Sequence, residues 1–244
     1  MKWGYNKELY SNYNMAIPIE LSIATHCHSL ITGSSGSGKS YALLYLIGML
    51  LQAVSNITIF FCDFKNSDDF HFFKDYKYYY SGNDCYQGIM EYYNKFTETR
   101  TSGSSKKRYI LICDEYPALI NYLQTKDKQN KTKYANDVLS AVSEILMLGR
   151  GIKFGIWIVT QRADSTLFSN GARDNFMIII GLGRLSREQK GMIFTGEDIP
   201  EKTYSQGEGF LLADGHELKE VKYPKIKDVD DWKRHILTFI NQNS

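Results

Sequence analysis

The octet Gly33-Ser34-Ser35-Gly36-Ser37-Gly38-Lys39-Ser40 constrains this 244-residue chain more than any other stretch. It fits G-x-x-x-x-G-K-[S/T] at every position, follows a short strand-like segment (Ser29-Leu30-Ile31-Thr32) and leads into an apolar run from Tyr41 to Leu51. Strand, glycine loop and helix in that order turn successive backbone N–H groups around an anion, and the helix N-terminus adds a favourable field. A Gly/Ser turn that merely precedes a helix would share the glycines but would not need the lysine and the serine as well. The stretch therefore predicts a phosphate-binding loop, with Lys39 reaching the β- and γ-phosphates of ATP and the Ser40 hydroxyl ligating Mg²⁺. Gly33, Ser34, Ser35, Gly36, Ser37, Gly38, Lys39, Ser40 and Tyr41 are the expected nucleotide contacts.

A loop of this kind belongs in an α/β fold, and the rest of the chain alternates accordingly. Ile57–Asp63 (ITIFFCD), Tyr109–Asp114 (YILICD), Phe154–Thr160 (FGIWIVT) and Phe176–Gly181 (FMIIIG) are continuous apolar runs of strand length. Runs without polar alternation imply a mostly parallel sheet covered by helices on both faces. Helices are expected over Lys39 to about Val54, 83–100, 134–149, Ser186–Phe194 and Asp228–Asn241. Glu208–Ala213 and Glu217–Val221, joined through Asp-Gly, predict a small hairpin near the C-terminus. Residues 1–16 are polar and aromatic without a period and read as an N-terminal arm. Residues 17–244 read as a single domain, long enough to bury a substantial core.

The second chemical feature is Asp114-Glu115 at the end of the YILIC run. An acid at the C-terminal tip of a buried strand faces the ligand edge of an open α/β sheet. Asp114 is the expected metal ligand, directly or through water, and Glu115 the group that orients or deprotonates the attacking water. Capping of the next helix, which Tyr116-Pro117 begins, would explain one acid but not two.

Three blocks together resemble the FtsK/SpoIIIE/HerA branch of RecA-like motor ATPases. They are residues 17–40, where a histidine precedes the strand entering the loop, the YILICDE stretch 109–115, and 148–165 (LGRGIKFGIWIVTQRADS). In the third, Arg150 stands ten residues before Thr160, with Gln161 and Arg162 next. The resemblance implies a RecA-like P-loop NTPase domain in which Gln161 is a polar sensor of the γ-phosphate. It also implies that Arg150 is a finger inserted into a neighbouring subunit's site, hence a homo-oligomeric ring, a hexamer by analogy. Glu115, Lys39, Gln161 and Arg150 are then the catalytic set, with Ser40 and Asp114 holding the metal. Arg162 and Arg184 are rival fingers. Asp63-Phe64-Lys65 resembles the family's Asp-Pro-Lys without its proline, and a strand-end turn explains it equally well.

The implied track is DNA, single- or double-stranded. With 29 basic against 27 acidic residues the net charge is only +2, so no global basic field exists and contacts must be local. Ser104–Arg108 and Lys126–Lys133 are the basic clusters, read as loops that contact phosphate or stay solvated. The tyrosines of 76–80 are expected in packing rather than on bases. Cys27, Cys62, Cys85 and Cys113 have no metal-type spacing and predict reduced, buried thiols. No run approaches the ~20 apolar residues of a membrane span, and no winged-helix module follows the motor, so the expectation is a cytoplasmic, anchor-free motor of a mobile element or phage. A relaxase, replication or packaging protein would be its partner. The competing expectation is an ATP-gated DNA-binding or assembly protein that recruits a partner without translocating.

Overall fold

The apolar runs assemble into one ten-stranded sheet in a computed structural model that describes residues 1–103, 105–162 and 174–243. Ser104 of the first basic cluster and residues 163–165 of the third block lie outside the described residues. In chain order the elements are β1 (Lys2–Asn6), α1 (Lys7–Tyr13), β2 (Pro18–Glu20), β3 (Ser29–Gly33), α2 (Lys39–Ala53), β4 (Ile57–Asp63), β5 (Tyr79–Ser81) and α3 (Cys85–Ser102). There follow β6 (Arg108–Asp114), α4 (Tyr116–Asn130), α5 (Tyr134–Leu148), β7 (Phe154–Thr160), β8 (Ile178–Leu182), α6 (Arg187–Ile193), β9 (Glu208–Ala213), β10 (Lys219–Lys222) and α7 (Val229–Asn243). The strand order is β2-β1-β10-β9-β8-β3-β7-β6-β4-β5. From β8 to β5 every neighbouring pair is parallel, and from β8 to β2 every pair is antiparallel.

The unbroken apolar strands are explained by burial on two sides. Ile57, Ile59 and Phe61 of β4, Ile110 and Ile112 of β6, and Trp157 and Val159 of β7 pack into the layer formed with α2 and α7. Their neighbours Phe60, Cys62, Leu111, Cys113, Ile156 and Ile158 face the opposite layer, formed with α3, α4 and α5. Alternation survives as the choice of layer, not as apolar against polar. Helix α2 lies deepest, with Leu43, Leu46, Ile47 and Leu50 fully buried. Its Gly48 lets α7 close in: a Cβ there would stand 2.3 Å from Trp232 Cζ2, while Trp232 Nε1 donates to the Leu44 carbonyl at 3.0 Å.

Three differences from the sequence reading have physical causes. Residues 1–16 form β1 and α1, and β1 joins the sheet between β2 and β10 with Trp3 buried against Trp157, ring centroids 5.3 Å apart. Gly4 at φ +132 breaks the period that would have announced this strand. Lys126–Lys133 is not a loop: α4 runs to Asn130 and α5 starts at Tyr134. The Asp127 carboxylate makes the tight reversal by accepting from the N–H groups of Tyr134 (2.9 Å) and Ala135 (2.8 Å). The fourth strand is displaced to Ile178–Leu182, since its pairing with β3 starts at Ser29 opposite Ile178. The C-terminal hairpin forms as β9 and β10 around Asp214-Gly215. Tyr76 is buried with its hydroxyl on the Ile59 carbonyl, and Tyr79 and Tyr80 lie in β5 at the sheet edge, so this run is packing. All four cysteines are free and buried. Among the described residues no helix is long and apolar enough to cross a membrane.

Candidate active site

The C-terminal tips of the parallel strands put the motif residues in one row. Register pairs Asp63 with Asp114, Asp114 with Val159, and Thr160 with Thr32, so the tips of β4, β6, β7 and β3 stand side by side. Strand β7 lies between the strand that enters the glycine loop and the strand that ends in Asp114. That insertion brings Gln161, the residue after Thr160, between the loop and the carboxylates.

The loop itself needs its glycines. Gly36 and Gly38 adopt φ +77 and +91, values that disfavour any side chain, and a Cβ on Gly38 would stand 2.7 Å from the Gly207 nitrogen. Lys39 opens α2, is only 9% exposed, and donates from Nζ to the carbonyls of Gly33 (2.5 Å) and Ser34 (3.0 Å). Burial lowers its pKa, with the carboxylates of Glu115 and Asp114 acting against that shift.

Beside it the acids repel one another. Burial first, then the neighbouring carboxylates of Glu115 and Asp63, pushes Asp114 up to about 7. Asp63 is also held above the usual carboxylate range by burial, although its Oδ2 accepts from Ser67 N–H (3.0 Å) and the Tyr79 hydroxyl (3.1 Å). Its Oδ1 is buried without a partner among the described residues. Glu115 takes the left-handed conformation, φ +55 and ψ +41, as the N-cap of α4. A non-glycine residue held there stores on the order of 1–3 kcal/mol, a strain that accumulates at functional sites. Gln161 Nε2 donates to Glu115 Oε1 at 2.8 Å.

These residues line a cleft of about 370 Å³ whose walls include Gly36, Gly38, Lys39, Ser40, Asp114 and Gln161. The donor set fits a magnesium nucleotide: glycines at the positive φ that turns the loop backbone, an ammonium for phosphate, and a hydroxyl and a carboxylate for a hard cation. Among the described residues no group of three or more His, Cys, Asp or Glu is arranged to hold a metal alone. Protein sites take Mg²⁺ with one or two carboxylates and the phosphates themselves. When bound, the nucleotide's magnesium would neutralise developing phosphoryl charge; Ser40 and Asp114, which line the cleft, are the side chains that would hold it.

Tyr41 lines the same cleft, its hydroxyl donating to the Pro224 carbonyl (3.4 Å) and accepting from Ile226 N–H. Arg150 is not brought to the cleft within the chain. It is exposed in the turn Gly149–Ile152 before β7, and seven residues of strand separate it from Gln161, about 20 Å at ~3.3 Å per residue. Arg162 and Arg184 do lie at the cleft edge of the sheet, Arg162 in an exposed ion pair with Glu188. Lys65, Ser67, Asp69 and Gln206 complete the lining. Lys65 closes the Asp63-Phe64-Lys65 motif, for which a functional and a turn reading stand equal, and Ser67 and Asp69 follow it without being singled out by the sequence. Gln206 had no sequence signal.

No protein-family model matches the chain. The Ftsk domain-containing protein YdcQ of Bacillus subtilis (strain 168) is 27% identical over 183 residues, covering 68% of this chain and 36% of YdcQ. The structure also superposes on EssC (ATPases 2 and 3) of Geobacillus thermodenitrificans with a TM-score of 0.70. The chain has the fold of RecA-like P-loop ATPase domains and is similar in sequence to an FtsK-domain protein. The EssC match covers 100% of this domain and 49% of that chain at 13% identity. The pCW3 conjugation coupling protein TcpA, solved as a monomer with ATPγS, matches at TM-score 0.67 and 20% identity, over 91% of this domain and 67% of that chain. The chain thus spans about a third of YdcQ and half of the EssC chain.

Proposed function

We propose that this FtsK-like domain hydrolyses ATP with Mg²⁺ in a homo-oligomeric ring, a hexamer by analogy, and couples the reaction to movement of DNA. The observation that carries the hydrolysis is the Gln161–Glu115 hydrogen bond across the tips of β7 and β6, beside Lys39 and Asp114. Glu115 Oε is the acceptor for the proton of the attacking water, and Gln161 holds that carboxylate while its amide reports on the γ-phosphate. Lys39 and the loop N–H groups bind the phosphates. Ser40 and Asp114 hold the metal.

The position of Arg150 supports a ring. Some 20 Å from its own Gln161, an arginine finger there acts only on a neighbour's nucleotide, as guanidinium groups supplied in trans do. DNA as the track is supported by similarity to TcpA, described as a conjugation coupling protein. Lys126, Lys128, Lys131 and Lys133 at the α4–α5 reversal offer phosphate contacts. That reversal lies at the cleft edge of the sheet: Tyr122 of α4 packs on Phe64 beyond β4, and Tyr134 on Tyr86 at the start of α3.

The test is the ATPase rate of the purified domain with no DNA, single-stranded DNA and double-stranded DNA, with mass measurement in a non-hydrolysable nucleotide. Stimulation by one form of DNA and a nucleotide-dependent oligomer are expected. Mixing Lys39→Ala and Arg150→Ala subunits, each inactive alone, should restore part of the rate. An ATPase indifferent to DNA that still changes oligomeric state would instead describe an ATP-gated assembly protein.

A further inference from the structure

The phosphate loop is held from outside by a segment that no nucleotide-binding pattern predicts. Gly207, just before β9, donates its N–H to the Ser37 carbonyl at 2.9 Å and accepts from Tyr223 N–H at 2.9 Å. It sits at φ +76, against Gly38 at φ +91. Built on Gly38, a Cβ would meet the Gly207 nitrogen at 2.7 Å and Gln206 Cγ at 3.0 Å, so this segment lies directly on the loop. In a planar trans peptide, C=O and N–H point opposite ways. With the Ser37 carbonyl turned outward to Gly207, the Gly38 N–H is turned inward, toward the phosphate cradle.

The strand order fixes which end of a nucleotide Gln206 would meet. From the glycine loop on β3, the carboxylates lie on the β7–β6 side, while Gln206 leads into β9 on the β8 side. Lys39, Asp114, Glu115 and Gln161 set the γ-phosphate end. The nucleoside therefore leaves toward Tyr41 and Gln206. The Gln206 side chain is exposed, lines the cleft, and has no hydrogen-bond partner among the described residues. An amide can give and accept at once, which suits the hydroxyls of a ribose.

We propose that Gln206-Gly207 is a further part of the nucleotide site: Gly207 positions the Gly38 N–H for phosphate, and Gln206 binds the nucleoside end of ATP at its ribose. The inference rests on the cleft being an ATP site. The test compares the affinities of ATP and inorganic tripolyphosphate, both with Mg²⁺, for wild type, Gln206→Ala, Gly207→Ala and Lys39→Ala. Gln206→Ala should weaken ATP about fivefold, the worth of one ordinary hydrogen bond, and leave tripolyphosphate unchanged. Gly207→Ala should weaken both ligands by a common factor of about ten, since it misdirects a charge-assisted donor. ATP binding by Gln206→Ala at wild-type affinity, or an equal loss of both ligands, overturns the Gln206 assignment. If Lys39→Ala alone loses ATP, the site stands and this inference falls; if wild type binds neither ligand, the ATP site itself falls.

Discussion

Gln161 Nε2 donates to Glu115 Oε1 at 2.8 Å, joining the tips of two neighbouring strands across the mouth of the cleft. The bond explains why a glutamate is kept in the left-handed region at φ +55: the backbone aims the carboxylate back over the loop, and the amide holds it there. Removing the amide should therefore spoil aim, not binding. With Glu115 as the proposed general base, Gln161→Ala is expected to lower kcat by about tenfold to a hundredfold while the affinity for ATP stays within twofold of wild type, because a misplaced base loses most of its contribution of ~10²–10⁴. Steady-state kinetics with a separate binding titration checks this.

His28 makes the fold sensitive to acid. It is fully buried at the foot of β3; its Nδ1 accepts from Ile156 N–H at 3.1 Å, and its carbonyl accepts from Met177 and Ile178. Burial, then the positive charge of Arg150, pushes its pKa down to about 3. Between that value and the ~6.5 of an unfolded histidine, the unfolded chain carries a proton that the native chain does not. Stability from this residue is full above pH 6.5 and falls by about 1.4 kcal/mol per unit as pH drops toward 3. Asn at this position keeps the acceptor and cannot charge. Urea titrations at pH 7 and 5 should show the difference between wild type and His28→Asn shifting by about 2 kcal/mol in favour of the variant at pH 5.

Gly48 reverses a general rule. In an exposed helix Gly→Ala stabilises by about 1 kcal/mol, yet here a Cβ would stand 2.3 Å from Trp232 Cζ2 and 2.8 Å from Nε1. Trp232 is also tied to the Leu44 carbonyl, so its ring cannot simply turn away. Gly48→Ala should lower stability by about 1–3 kcal/mol, the cost of overpacking. Thermal melts of Gly48→Ala and of Gly48→Ala with Trp232→Leu check it: the second substitution should recover part of the lost Tm.

Sequence made the phosphate loop, the carboxylate pair and the buried strands legible because each depends on local chemistry or on a period. β4 and β7 appear with the boundaries expected from their apolar runs. What escaped depends on contacts far apart in the chain. β1 was hidden because Gly4 interrupts it and its pairing with β10 spans most of the chain. The basic stretch 126–133 looked like a loop because charge density says nothing of the turn that Asp127 supplies. Gln206 entered the cleft only through the antiparallel end of the sheet, a topology that no local pattern carries. Arg150 was placed in the catalytic set by resemblance, and the strand geometry then put it at the far end of β7.

The most direct test of the account is the hydrolysis rate of Glu115→Gln beside wild type, with ATP affinity measured on both. A residue that takes the proton of the attacking water predicts a rate lower by about 10²–10⁴ and an affinity unchanged or tighter, since the substitution removes a negative charge beside the γ-phosphate. A Glu115→Gln domain that hydrolyses ATP at the wild-type rate would contradict it.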